Sequence, residues 1–197
     1  MRVIVVGATG TIGRAIVEAL EARHEVVPVS HSGGRHRVDL AAPESIASLF
    51  GTIGSVDAVV SAAGLAKFGA LGSLTEDDFL LGLRNKLMGQ VNLVRLGLPH
   101  VADEGSFTLT SGVLGRWPTP GSAAIAVVNA GLEGFVRAAA LEMPRSIRIN
   151  VVSPPWLSET LKALGRDASQ GTPAAVVARA YVASVEGSAS GSILDPA

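Results

Sequence analysis

Residues 2–23 read RVIVVGATGTIGRAIVEALEAR. The opening RVIVV is rich in β-branched residues and stops at Gly7, the pattern of a strand. From Ile12 onward the apolar residues fall at Ile12, Ala15, Ile16, Ala19 and Leu20, the spacing of one helix face. Between them lies GATGTIG (7–13), with two residues separating successive glycines. Gly7, Gly10 and Gly13 permit a tight turn and close backbone approach. The first helical turn then aims unpaired amides, at residues 10–14, toward an anion. Strand, turn and amphipathic helix in immediate succession predict a loop that grips the pyrophosphate of a dinucleotide. A glycine-rich turn with no ligand is the plainer alternative, and the strand-to-helix context argues against it.

The rest of the chain repeats the same alternation. Strand-like runs occur at 25–29, 37–40, 57–63, 106–110, 147–152 and 192–194. Pro28 deprives the second of these of a ladder donor. Helical patterns lie at 43–50 with Pro43 in the first turn, at 75–100 with a kink near Gly82, at 122–142 and at 172–186. Thr75 and Asp78 form a capping-box pair, and Thr172 is the expected cap of the last helix, with Pro173 at its first position. Near-continuous apolar strands separated by helices predict an α/β fold: a doubly wound parallel (Rossmann) sheet in a three-layer α/β/α arrangement. No linker or repeat interrupts the pattern, so residues 1–197 read as one domain.

Composition narrows the function. Apolar residues make up 48% of the 197 and charged residues 17%, which favours a sheet covered on both faces and a buried subunit contact. A formal charge of −1 offers no electrostatic case for nucleic acid or an anionic membrane. Cysteine is absent, which excludes thiolate chemistry and disulfides. No apolar run is long enough to span a bilayer, and the N-terminus enters a strand without a signal-peptide pattern, so a cytoplasmic location is expected. No metal-ligand spacing stands out.

The second strand leads into Ser30-His31-Ser32-Gly33-Gly34-Arg35, with no carboxylate to accept from a ribose hydroxyl. Hydroxyls, His31 and Arg35 suit a 2′-phosphate, so NADP(H) is expected ahead of NAD. Arg35 and His36 as ordinary solvated residues is the alternative.

Over almost its full length the chain resembles the short-chain dehydrogenase/reductase family. The motifs that carry the likeness are the Gly7–Gly13 turn, Ser61-Ala62-Ala63-Gly64, Thr110-Ser111, and Ile147-Arg148-Ile149-Asn150-Val151-Val152-Ser153-Pro154. The resemblance implies cofactor contacts from Thr9, Thr11 and Ile12 in the turn. It implies others from Asp39 and Leu40 beside the adenine, from Ala62, Ala63 and Gly64, and from Pro154 and Thr160 beside the nicotinamide. Pro155 stands where the family has Gly. Ser111 falls at the family's catalytic Ser.

The family's Tyr and Lys are missing from their usual places. Counting back from Ala130-Gly131-Leu132-Glu133-Gly134-Phe135 places Asn129 at the Lys position and Ile125 at the Tyr position. The chain's single Tyr, Tyr181, reads as a packing residue. Lys86, with Asn85 beside it, falls where the family carries an Asn, so Lys and Asn have exchanged places between Lys86 and Asn129. The catalytic candidates are therefore Ser111, Lys86 and Asn129. Their plainer reading is a snorkelling Lys86 and a polar helix stripe of Asn129, Glu133 and Arg137.

Such a chain is similar to a small subgroup of the family that keeps the glycine turn and lacks the usual Tyr and Lys. Residues 155–171 are a short substrate lid, with Trp156, Leu157 and Leu161 over the nicotinamide and Trp117 facing it; core or interface packing is the alternative for both Trp. The weakly charged 123–141 helix, with Gly131 and Gly134, predicts a homodimer or homotetramer. Two functions remain open. One is an NADP(H)-dependent oxidoreductase for a small carbonyl or alcohol, with Ser111 orienting the oxygen and water or Lys86 handling the proton. The other is a catalytically silent dinucleotide sensor or scaffold.

Overall fold

The computed structural model describes residues 1–196. Its seven strands are β1 (Arg2–Val6), β2 (Glu25–Ser30), β3 (His36–Arg37), β4 (Val56–Ser61), β5 (Val101–Thr110), β6 (Arg148–Val152) and β7 (Ile193–Leu194). They form one parallel sheet in the order β3-β2-β1-β4-β5-β6-β7. The helices are α1 (Thr11–Glu21), α2 (Pro43–Ile53), α3 (Glu76–Gly82), α4 (Met88–Gly97), α5 (Ala123–Ala139), α6 (Ser158–Ala163) and α7 (Ala174–Glu186). This is the expected doubly wound Rossmann architecture.

Strand periodicity sorts the core into two layers. Val3 and Val5 of β1 point to the face covered by α1 and α7, where Ile16, Leu20, Val177 and Tyr181 are buried. Ile4 and Val6 point the other way, against Ile46 and Phe50 of α2, Leu93 of α4, and Leu132 and Val136 of α5. Both faces are dry, which is why the strands read as unbroken apolar runs. The order reverses between β1 and β4, so their carboxyl ends open a crevice at the switch point.

Several boundaries differ from the sequence reading. β3 is only His36–Arg37, and Val38 and Leu40 beyond it turn inward as buried residues. β2 tolerates Pro28 because β3 pairs only with Val29 and Ser30. β5 starts at Val101, earlier than expected, and its pairing with β4 shifts register between Val56 and Ala58. The Thr75–Asp78 capping box forms as expected, with Asp78 N–H donating to Thr75 Oγ1 at 3.3 Å and Thr75 N–H to Asp78 Oδ2 at 2.9 Å. Thr172 does not cap the last helix. The side chain of Glu159, from α6, accepts the Ala174 N–H instead, at 3.0 Å.

The 75–100 stretch is not a continuous α-helix. A π-helical turn, Leu83–Leu87, comes after Gly82 and separates α3 from α4. The extra residue in such a turn rotates the helix beyond it, and turns of this kind often mark functional sites. This one carries Asn85 and Lys86.

Candidate functional site

The turn after β1 owes its shape to three close approaches. Gly7 has φ +84°, and a Cβ there would lie 2.7 Å from the Ala62 carbonyl oxygen at the end of β4. A Cβ on Gly13 would lie 2.0 Å from the Gly7 carbonyl oxygen, so α1 can begin against the strand only as glycine. Gly10 is different. A Cβ there would meet only the Gly7 oxygen, at 3.3 Å, and the residue faces outward as the cap of α1. No side chain caps this helix and its first turn holds no acid, so its leading amides are left for an anion.

Two cavities flank the turn. One, of about 370 Å³, is bounded by Gly7, Thr9 and Gly10, by His31, Val38 and Leu40, and by Ala62, Ala63 and Gly64. The other, of about 530 Å³, lies between α1 and β2 and brings Arg14, Ser30, Gly33, Gly34 and Arg35 together. The Ser30 hydroxyl is held by Gly33, accepting its N–H at 3.2 Å. Ser32 is exposed and borders neither cavity. Asp39 borders neither as well; its carboxylate accepts the Ala41 N–H at 2.9 Å at the approach to α2. Thr11 stands exposed in the first turn of α1, and Gly13 is buried beneath it.

A third cleft, of about 310 Å³, opens at the carboxyl ends of β4, β5 and β6. Ile12, Ala62, Ala63, Gly64, Pro154 and Thr160 form its walls, and Lys86, Ser111, Ile125 and Asn129 converge in it. They come from three backbone segments: Lys86 from the π-turn, Ser111 from the end of β5, and Ile125 and Asn129 from successive turns of α5.

Lys86 and Asn129 hold consecutive carbonyls. Lys86 Nζ donates to the Ser111 oxygen at 2.9 Å, and Asn129 Nδ2 donates to the Gly112 oxygen at 3.2 Å. Both depend on glycine. Gly64 has φ +138°, and a Cβ there would lie 2.7 Å from Lys86 Cγ; Gly112 has φ +153°, and a Cβ there would lie 2.9 Å from Asn129 Nδ2. Burial pushes the Lys86 ammonium down from 10.5 to about 8. Two of its three N–H groups are not used by the Ser111 carbonyl. Asn129 is 2% exposed, and its Oδ1 has no partner among the described residues. An orphaned acceptor in a cleft is the signature of a missing donor. Asn85 beside Lys86 accepts the Leu65 N–H at 2.7 Å, so the π-turn also steadies the loop after β4.

Ser111 is 3% exposed. Its hydroxyl donates to Glu133 Oε1 at 3.2 Å, with the Val152 carbonyl oxygen at 3.4 Å. Glu133 is a site residue that sequence reasoning missed, because its spacing fits a polar stripe. In fact Asn129 and Glu133 are buried and only Arg137 of that stripe is exposed. Arg116 Nε lies 3.3 Å from Glu133 Oε1, and its guanidinium is also paired with Asp195. Asp195 and Glu133 together raise the Arg116 guanidinium above its usual range.

Tyr181 is fully buried, with its hydroxyl 2.6 Å from Thr110 Oγ1, and burial drives its phenol upward. It packs, as expected, and no phenol borders the cleft. Trp156 and Leu157 do line the cleft, with Phe68 edge-on to Trp156 at 6.4 Å and Arg166 over its ring at 5.7 Å. Trp117 does not face the cleft: it is 71% exposed. Leu161 is buried behind the wall.

The family described as Enoyl-(Acyl carrier protein) reductase matches residues 3–186. A 3-oxoacyl-[acyl-carrier-protein] reductase of Mus musculus is 28% identical over 78% of the chain and 74% of its own length. The corresponding reductase of Salmonella typhimurium is 29% identical over 89% of the chain and 81% of its own length. Among solved structures, the protein lin1944 from Listeria innocua is 40% identical with a TM-score of 0.95, covering 99% of this chain and 98% of that one. A small-chain dehydrogenase in complex with NADPH is 25% identical with a TM-score of 0.88, covering 99% and 95%.

Proposed function

The chain belongs to the short-chain dehydrogenase/reductase family, and from that premise we propose that it is an NADP(H)-dependent oxidoreductase for a carbonyl or alcohol substrate. The observation that carries this reading is the convergence of Ser111, Lys86 and the unpartnered Asn129 Oδ1 in one cleft that runs on from the glycine turn. The residues present fit the cofactor. The α1 amides suit its pyrophosphate, Leu40 and His31 bound a cavity for the adenosine half, and Arg14 and Arg35 suit a 2′-phosphate. Asn129 Oδ1 suits a ribose or substrate hydroxyl. When bound, the nicotinamide supplies or receives hydride at a substrate carbon.

The chain's own part is to hold the substrate oxygen and move a proton. Ser111 Oγ stands against that oxygen. Lys86 gives the proton in reduction and takes it back in oxidation, a role that its lowered pKa near 8 suits. In this reading Ile125 and Asn129 mark a degenerate form of the family's site, and Lys86 replaces the usual acid. Residues 155–171 act as a lid on a single domain, with Trp156 and Leu157 excluding water. Exposed Leu81, Met88 and Val127, on α3, α4 and α5, support assembly into a dimer or tetramer. No helix among the described residues is long and apolar enough to cross a membrane, and a cytoplasmic enzyme is the simplest reading.

The test is reduction of a 3-oxoacyl thioester, acetoacetyl-CoA, by NADPH, chosen because curated relatives are 3-oxoacyl reductases. Turnover that is lost in Ser111→Ala supports the reading. Tight NADPH binding without turnover by acetoacetyl-CoA or by a panel of reactive carbonyls would point to the silent sensor. Restoring the family pair with Ile125→Tyr and Asn129→Lys separates the two: revived reductase activity means that the cleft keeps the family geometry, and continued inactivity favours the sensor.

A further inference from the structure

The Ser111 hydroxyl has one hydrogen and faces two groups inside the protein, the Glu133 carboxylate at 3.2 Å and the Val152 carbonyl at 3.4 Å. Both are acceptors only. The hydrogen is therefore committed inward, and the lone pairs of Ser111 are what the cleft meets. Turning the hydrogen outward would strip a buried carboxylate of a donor, which is costly where water is excluded. Glu133 cannot turn away in compensation. It is 3% exposed, it lies 3.3 Å from Arg116 Nε, and Arg116 is fixed in turn by Asp195 near the chain's end.

The partners in the cleft repeat this polarity. Asn129 donates to the Gly112 carbonyl, so its free group is the acceptor Oδ1. Of the three residues that converge there, Lys86 is the donor, with two N–H groups left over. The cleft thus offers acceptors from Ser111 and Asn129 and a donor from Lys86. A ketone oxygen can only accept, and among these three residues it finds one partner. An alcohol both donates and accepts, and it finds two.

Resting on the oxidoreductase reading above, we infer that Glu133 is a positioning residue that fixes Ser111 as a hydrogen-bond acceptor, so that the site selects the alcohol form of its substrate over the carbonyl form. This differs from a serine that donates to a carbonyl, and it assigns a purpose to the Glu133–Arg116–Asp195 chain, which runs from the buried Glu133 out to the surface.

The experiment is a pair of dead-end titrations that need no turnover. Calorimetry measures 3-hydroxybutyryl-CoA binding to the NADPH complex and acetoacetyl-CoA binding to the NADP⁺ complex. The wild-type protein should favour the alcohol by about tenfold, the worth of one hydrogen bond. Glu133→Met, which removes the nearer inward acceptor while keeping the volume and leaves only the more distant Val152 carbonyl, should bring the ratio toward one. Ser111→Ala should do the same, and the double variant should go no further. Should Glu133→Met not fold, Ser111→Ala alone carries the test, since loss of the acceptor must erase the preference. Equal or tighter binding of the ketone by the wild type, or a ratio unmoved in either variant, overturns the inference while leaving turnover, and with it the oxidoreductase reading, intact. Failure of both thioesters to bind at millimolar concentration overturns the inference, and turnover with the panel of reactive carbonyls then decides the broader reading separately.

Discussion

The two ends of the crevice are built from different materials. At the glycine turn the backbone makes the site: Gly7 and Gly13 are dictated by carbonyls 2–3 Å from where a Cβ would stand, and the proposed anion contacts are the free amides of α1. At the reacting end side chains make it. Lys86, Ser111, Asn129 and Glu133 arrive from three separate parts of the chain and lock one another through carbonyls and a carboxylate. A backbone site depends on a few glycines and tolerates much else. A side-chain site can change its chemistry by exchanging residues, which is how the proposed reading accounts for Lys86 and Asn129.

That contrast can be broken or sharpened by substitution. The largest effect is expected at Gly13→Ala, whose Cβ would sit 2.0 Å from the Gly7 oxygen with only backbone around it. A stability loss of about 3 kcal/mol or more is expected, read by denaturant melts. Gly10→Ala, whose Cβ would meet only the Gly7 oxygen at 3.3 Å, should cost the fold far less than Gly13→Ala and weaken NADPH about tenfold, the effect of crowding a phosphate. If both glycines behave alike, the turn is not divided into a packing part and a binding part.

At the other end, Ser111→Ala should lower alcohol oxidation about tenfold or more, the worth of the lost hydrogen bond, while leaving NADPH affinity unchanged, measured by steady-state kinetics beside calorimetry. Loss of cofactor binding instead would mean that the two ends are not separable.

Lys86 gives a signed pH test. In the proposed mechanism carbonyl reduction uses its ammonium form, so the rate should fall as pH rises through about 8, and Lys86→Met should lack that limb. Stability should move the other way. The folded protein sheds this proton near 8 and the unfolded chain near 10.5, so the unfolded state binds more protons between those values and stability grows with pH across that window. The Lys86→Met variant should lack that gain, which pH-dependent melts would show.

The smallest effect separates two candidate caps. Glu159→Ala should cost about 1 kcal/mol by freeing the Ala174 N–H, whereas removing the Thr172 hydroxyl should cost within about 0.5 kcal/mol.

Legibility in the chain divides along the same line. The sheet, its two covered faces and the turn at 7–13 can be read because strand alternation, helical spacing and glycine carry their physical reasons locally. The Thr75–Asp78 box is readable for the same reason. Glu133 is not, because four-residue spacing cannot tell a solvated stripe from a row turned inward; only the approach of Arg116 and Ser111 decides it. The capping of α7 by Glu159 is hidden likewise, since α6 reaches it through tertiary structure. Trp117 is expected at the cleft, and the loop after β5 carries it into solvent. The π-turn has a partial signal in Gly82, which lets α3 approach Val128 of α5 closely, but a glycine alone does not specify an inserted residue.

The most direct measurement is calorimetric titration of the purified protein with NADPH and, separately, with NADH. Saturable one-to-one binding is expected for NADPH, with NADH weaker by an order of magnitude or so for want of a phosphate facing Arg14 and Arg35. Heat indistinguishable from dilution with both dinucleotides at millimolar concentration would contradict the account at its root.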